Sequence, residues 1–270
     1  MGYIHGYSGR EAERLSDQAV ILRPFLHRDL RFPAGSRVLE PGCGSGRQSL
    51  ALLEDNPGIH LTCLDVDAGQ LDLARARLAG WERSLRFVHG DLGRDPLTGE
   101  VFDHVFVCFL LEHLKRPETA LARLRGMLRV GGTLTLIEGD HGSFRFQPET
   151  PASRAVWDAL IAEQRRLGGD PMIGRRLRGL LTAAGFSEVG VAPILIYADA
   201  GDPVLREGFM RRIIVPMVDG VRARALAGGF DARLWERGIE DLLAADSGDG
   251  SCYYLFFEAV GTKGTQGESG

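Results

Sequence analysis

The chain has 270 residues, 44% hydrophobic and 25% charged, with a net charge of −4 and a pI near 6.0. This is ordinary globular composition, and it argues against a nucleic-acid surface, which carries a basic excess. No apolar run is long enough to span a bilayer and no charged-then-apolar signal opens the sequence, so a cytoplasmic protein with no membrane partner is expected. Cysteines at 43, 63, 108 and 252 form no C-x-x-C pair, which points to reduced, buried thiols rather than a zinc site.

In chain order, residues 8–26 read as a helix. Ser8 and Glu11 form a capping pattern, and Leu15, Ala19, Leu22 and Leu26 share a face. Tyr3, His5 and Tyr7 precede it. The apolar run Arg37 to Leu39 then ends in an acid, Glu40, and in a loop with glycine at 42, 44 and 46. A helix is expected over 46–55. Glycine lets the backbone approach a ligand closely and adopt positive φ, and the following helix N-terminus favours an anionic group. The spacing is not that of the dinucleotide fingerprint G-x-G-x-x-G. A carboxylate two residues before the first glycine would also repel a pyrophosphate, yet it can accept a hydrogen bond from an ammonium group. A nicotinamide dehydrogenase is therefore disfavoured.

Further elements are expected at 60–65 (strand), 68–79 (helix), 85–90 (strand), 103–109 (strand), 117–129 (helix, opened by Pro117) and 133–138 (strand). Helices at 151–168 and 175–184 follow, closed by Gly168-Gly169 and Gly185, then strands at 186–196 and 252–260. The alternation implies an α/β fold with a doubly wound, mainly parallel sheet of seven strands. Residues 1–35 are expected to form an N-terminal helical cap, 36–200 the α/β core, 201–249 a helical lid inserted in that core, and 250–261 its last strand. The small polar tail 262–270 is expected to be disordered.

Five segments carry a resemblance. They are Val38-Leu39-Glu40-Pro41-Gly42-Cys43-Gly44-Ser45-Gly46, His60 to Asp65, Leu85 to Leu92, Phe102 to Leu114, and Leu128-Arg129-Val130-Gly131-Gly132-Thr133-Leu134. In this order the chain resembles the class I S-adenosylmethionine (SAM) dependent methyltransferases, with a Rossmann-like fold, over roughly residues 36 to 140. The resemblance implies SAM as cofactor and S-adenosylhomocysteine as product. It places Gly42, Gly44 and Gly46 against the methionine part and ribose, and Glu40 near the amino group. Asp65, with Val66 beside it, falls on the ribose hydroxyls, and Asp67 is a second acid able to share that role. Asp91 and the Leu92 backbone fall on the adenine, and the backbone near Cys108 and Phe109 on the methionine moiety.

Methyl transfer from a sulfonium needs alignment and exclusion of water, and a base only if the acceptor arrives protonated. No metal is inherent to it. His113, just past the fourth strand, is the histidine best placed as a base. Glu138-Gly139-Asp140-His141 ends the fifth strand, with His141 a second catalytic candidate and Glu138 and Asp140 substrate-facing candidates. Tyr7, Arg175 and Tyr197 complete the substrate set; Arg175 with Arg176 could bind an anionic substrate or form a solvated helix surface, and Tyr197, Phe209, Met210, Tyr253 and Tyr254 could line an apolar pocket or belong to the core. The expected acceptor is a small, partly apolar metabolite methylated at O, N or C, and a homodimer is left open. A protein or RNA methyltransferase, or a cofactor-binding cyclase or binding module that does not use the methyl, stays open beside it.

Overall fold

Alternating apolar strands and amphipathic helices produce the expected wound sheet. The computed structural model describes residues 9–94 and 97–265. Helix α1 (Gly9–Leu26) is followed by β1 (Arg37–Pro41), α2 (Arg47–Asp55), β2 (His60–Asp65), α3 (Ala68–Arg77), β3 (Leu85–His89), β4 (Phe102–Cys108), α4 (Pro117–Met127) and β5 (Leu128–Gln147). Then come α5 (Pro151–Arg166), α6 (Leu177–Ala183), β6 (Ser187–Ala198), α7 (Pro203–Glu207), a π-helix (Gly208–Ile214), α8 (Val215–Asp219), α9 (Arg222–Ala227), α10 (Ala232–Leu243) and β7 (Ser251–Thr262). The seven strands order as β3-β2-β1-β4-β5-β7-β6. The pairs β1–β2, β1–β4, β2–β3 and β4–β5 are parallel. At the other flank Gly131 N donates to Lys263 O and Lys263 N to Gly132 O, so the start of β5 meets the end of β7 and the two run antiparallel.

The chain divides into two units. The first comprises Pro24–Gly139, Ile173–Ile194 and the chain from Phe257 onward. Its core packs Leu39, Val105, Val107, Leu134 and Leu136 from the strands against Leu121 and Leu124 of α4 and Leu177 and Leu181 of α6. Continuous apolar strands such as these are what a sheet covered on both faces requires. Helix starts follow local chemistry: Asp67 accepts from Gln70 N at the head of α3, and Pro117 opens α4. Asp103, at the start of β4, accepts Arg37 N at 2.8 Å and Arg129 Nε at 2.6 Å, tying the start of β4 to those of β1 and β5.

The second unit comprises the chain up to Arg23, Asp140–Met172 and Leu195–Phe256. Thr150 and Ser153 cap α5 reciprocally, and Asp231 caps α10. Trp157, Phe144, Phe209 and Trp235 are fully buried here, with the Phe144 and Trp157 rings 4.5 Å apart.

Several expected bounds shift. The fifth strand is expected over 133–138 but runs Leu128–Gln147. Its polar stretch through His141 and Ser143 stays in the ladder because partners exist for it: Leu255 N donates to Ser143 Oγ and His141 N to Pro171 O. The helix expected over 175–184 begins as a 3-10 turn, Ile173–Arg176, and becomes α-helical at Leu177. The expected tail begins too early, since Thr262 is still strand and the Lys263 ammonium donates to Leu128 O at 2.5 Å.

Candidate functional site

Because β1 and β2 run parallel with Glu40 opposite Cys63 and Pro41 opposite Leu64, their C-terminal ends share one edge. Ligands of open α/β sheets bind at that edge. The chain leaves β1 through Gly42, Gly44 and Gly46, with φ of 73°, 51° and 75°. These are left-handed values that side chains with a Cβ rarely adopt. Gly42 N and Cys43 N donate to Leu64 O at 2.7 and 3.2 Å, and Gly44 N donates to Asp65 Oδ2 at 2.8 Å. Asp65 Oδ1 accepts from Asp67 N at 2.9 Å. The acid at the end of β2 thus braces the loop that follows β1. The loop is also close-packed: a Cβ at Gly46 would meet Ala74 Cβ at 3.1 Å, and one at Gly42 would meet Leu110 Cδ1 at 2.9 Å.

Buried carboxyls gather at these strand ends. Glu40 is 3% exposed and accepts a hydrogen bond from the Ser49 hydroxyl in α2. Burial pushes its pKa up to about 8, the Ser49 bond opposing and Asp65 adding to the rise. Burial also raises Asp65. Glu138, midway along β5, is fully buried. Its Oε1 accepts Leu110 N at 3.0 Å and Leu111 N at 2.7 Å, and its Oε2 accepts Glu112 N at 3.4 Å. Burial and the neighbouring Glu112 carboxyl push Glu138 well above the usual carboxylate range. Cys108 feels the same surroundings: burial, then Glu138, Glu40 and Glu112, hold its thiol well above the ordinary value. Four acids around one strand edge make a setting that a cationic ligand would relieve.

Farther along the edge, Val66 is 61% exposed, an apolar side chain next to the braced Asp65. Asp91 is exposed, with Oδ1 accepting Gly93 N at 2.7 Å and Oδ2 3.8 Å from Arg94 Nε. Leu92 O accepts from Arg123 Nη1 at 2.9 Å. Asp67 spends one oxygen on the start of α3, accepting Gln70 N at 2.9 Å.

The catalytic and substrate expectations fare unevenly. His113 closes a 3-10 turn, Leu111–His113, partly buried, with Nε2 3.5 Å from Glu112 Oε1. Glu138, expected to face the substrate, instead spends both oxygens on the backbone after β4, as it must when no water reaches it. Arg175 and Arg176 are exposed on their 3-10 turn. In the second unit, Asp140 is buried and accepts Gly142 N at 3.0 Å. His141 is buried there too, its Nδ1 2.6 Å from Tyr254 OH and its ring edge-on to Trp157. Tyr197, expected near the substrate, is 52% exposed and its hydroxyl donates to Asp199 Oδ2 at 3.0 Å. The five aromatic and apolar residues expected to line one pocket are split: Phe209, Met210 and Tyr254 are buried, whereas Tyr197 and Tyr253 are exposed. Tyr7 lies outside the described residues, as do Tyr3, His5 and the capping Ser8.

Comparison with known proteins meets this geometry on the same residues. The family described as "Methyltransferase domain" matches residues 39–134, a span that includes the glycine loop, Asp65, Asp91 and the turn after β4. Over residues 39–134 the chain is similar to that methyltransferase domain family. The chain is 35% identical over 105 residues to the demethylmenaquinone methyltransferase of Clavibacter sepedonicus, covering 39% of this chain and 42% of that protein. It is 31% identical over 175 residues to the trans-aconitate 2-methyltransferase of Paracidovorax citrulli, covering 61% and 65%. The match to the first of these, and to a methyltransferase of Mycobacterium bovis at 54%, spans about half the relative's length. Among solved structures, phosphoethanolamine N-methyltransferase 2 of Haemonchus contortus in complex with S-adenosyl-L-methionine superposes with a TM-score of 0.56 at 14% identity, covering 95% of this chain and 57% of that one. That likeness shows the shared fold.

Three contributors escape a reading of the sequence. Ser49 is a small residue inside a helix, Leu110 an unremarked apolar residue, and Glu112 an acid in a turn. The one usable signal is in Glu138, which ends an apolar strand as Glu40 and Asp65 do. Where its oxygens go depends on a turn 26 to 28 residues away.

Proposed function

We propose that this chain binds SAM along the edge formed by β1, β2 and β3 and moves its methyl group to a small, partly apolar metabolite. The observation that carries the reading is the bracing of Gly44 N–H by buried Asp65, with buried Glu40 behind the same loop. Together they offer a close backbone surface, a carboxylate at the end of β2 for the ribose, and a second carboxylate for an ammonium. The glycine loop suits such a group: Gly42 and Gly44 have left-handed φ, and a Cβ at Gly44 would come no nearer than 3.9 Å to a neighbouring group, so that face is open to a ligand.

When bound, SAM supplies a sulfonium whose methyl is already electrophilic. The residues then divide the work. Glu40 receives the amino group, Gly42 and Gly44 pack on the methionine part, and the Cys108-Phe109 backbone borders it. Asp65 would hold the ribose hydroxyls, exposed Val66 would offer an apolar contact to the base, and Asp91 with the Leu92 backbone would read the adenine. His113 is the group to accept a proton where the acceptor arrives protonated, with Glu112 3.5 Å away to orient its imidazole. The relatives, a demethylmenaquinone methyltransferase and a trans-aconitate 2-methyltransferase, favour a small organic acceptor over a macromolecule.

Calorimetry with SAM and S-adenosylhomocysteine tests the binding, and a panel of quinone precursors and unsaturated acids with labelled methyl tests the transfer. Binding of both nucleosides with label appearing in one acceptor class supports the reading. Binding without transfer to any acceptor would favour a protein that holds SAM for another purpose. Binding of neither would end the proposal.

A further inference from the structure

Glu138 is a fully buried acid that methyl transfer itself does not call for. Its neighbour, the turn after β4, carries an unusual backbone. Phe109 has φ of 56°, the left-handed region, although it is bulky. Such a residue stays there only where its surroundings hold it. The holders are on the page: Phe109 N donates to Ile137 O at 3.0 Å, and the next two amides, Leu110 and Leu111, both donate to Glu138 Oε1. The Leu110 side chain in turn lies so close over Gly42 that a Cβ there would stand 2.9 Å from Leu110 Cδ1.

We infer that Glu138 is a positioning residue for the donor: by gripping the Leu110 and Leu111 amides it holds the strained Phe109 turn and seats Leu110 on Gly42, which sets the width of the slot for the amino-acid end of SAM. The inference rests on the reading above that the glycine loop and the Cys108-Phe109 backbone border that end. Its signature is selectivity along the ligand. The nucleoside end, held at Asp65 and Asp91, does not depend on the grip, whereas the amino-acid end does.

The test measures affinity for two probes, S-adenosylhomocysteine and 5′-deoxy-5′-methylthioadenosine, which lacks the amino-acid end. Glu138→Ala should weaken the first by about tenfold or more, the size expected when buried amides lose their acceptor, and leave the second within about threefold. Glu138→Gln keeps a carbonyl oxygen for Leu110 and Leu111 and should restore the affinity for S-adenosylhomocysteine. Leu110→Ala leaves the grip but removes the seat, and should reproduce the selective loss even if Glu138→Ala does not fold. Equal loss of both probes in Glu138→Ala, or no loss in either alanine variant, overturns the inference while leaving the cofactor reading intact. A wild-type protein that binds neither probe overturns both.

Discussion

Glu40 holds its proton far above the ordinary carboxylate range because burial outweighs the Ser49 hydroxyl. Its folded-state value, about 8, lies above the unfolded value near 4.5, so the folded form binds the proton more tightly. The resulting stability is fully present below 4.5 and is lost as pH rises through 8. Glu40→Gln, which cannot ionise, should therefore be more stable than the wild type at pH 8.5 by on the order of a few kcal/mol, with little difference at pH 4.5. Urea unfolding at the two pH values checks it, and a variant less stable at pH 8.5 would show that the Glu40 carboxylate is well solvated. The same variant should bind SAM more weakly, since an ammonium loses its charged acceptor. Asp65→Ala belongs with it. It removes the brace on Gly44 and, on the proposed reading, the ribose acceptor, so affinity for SAM should fall by about tenfold or more. Unchanged calorimetric affinity would remove Asp65 from the site. Both residues are legible in the sequence, each an acid closing an apolar strand. Glu138 has the same local signature, yet its task is fixed by Leu110 and Leu111, which no local pattern connects to it.

Among the elements, β1 to β4 fall within a residue of their expected bounds, because apolar runs closed by acids or glycine leave little choice. β5 does not. Gly131 and Gly132 at its start and the polar run after Ile137 read as breaks, and only β7 alongside turns them into strand. The π-helix at Gly208–Ile214 is equally invisible, since its apolar residues fit a helix of ordinary pitch as well. Helix packing in the second unit makes a sharper prediction. A Cβ at Gly238 of α10 would stand 2.5 Å from Val156 Cγ1 and 2.6 Å from Ala152 O of α5. Alanine is the better helix former by about 1 kcal/mol, but a backbone carbonyl cannot rotate away, and overpacking costs about 1–3 kcal/mol. Gly238→Ala should lower the Tm by several degrees in differential scanning calorimetry. A raised Tm would mean that α10 slides on α5 at no cost.

At the scale of the molecule, the second unit draws on three separate stretches of chain, and β5, β6 and β7 each contribute residues to both units. Sequence order does not disclose which distant stretches share a core, because that choice is made by long-range burial. No helix among the described residues is long and apolar enough to cross a membrane. Ligand linkage acts on the whole fold: S-adenosylhomocysteine at a hundred times its Kd should raise the unfolding free energy by about 2.7 kcal/mol, seen as a concentration-dependent Tm. A Tm that ignores the ligand at that concentration would mean no preference for the folded state. The proton on Glu40 carries one more consequence. If the ammonium of SAM docks against that carboxyl as proposed, it drives the proton off, and below pH 8 the uptake of SAM would also release an acid equivalent to the buffer. The heat of binding would then differ between phosphate and Tris by their ionisation enthalpies, and affinity would climb with pH until the carboxyl is already bare.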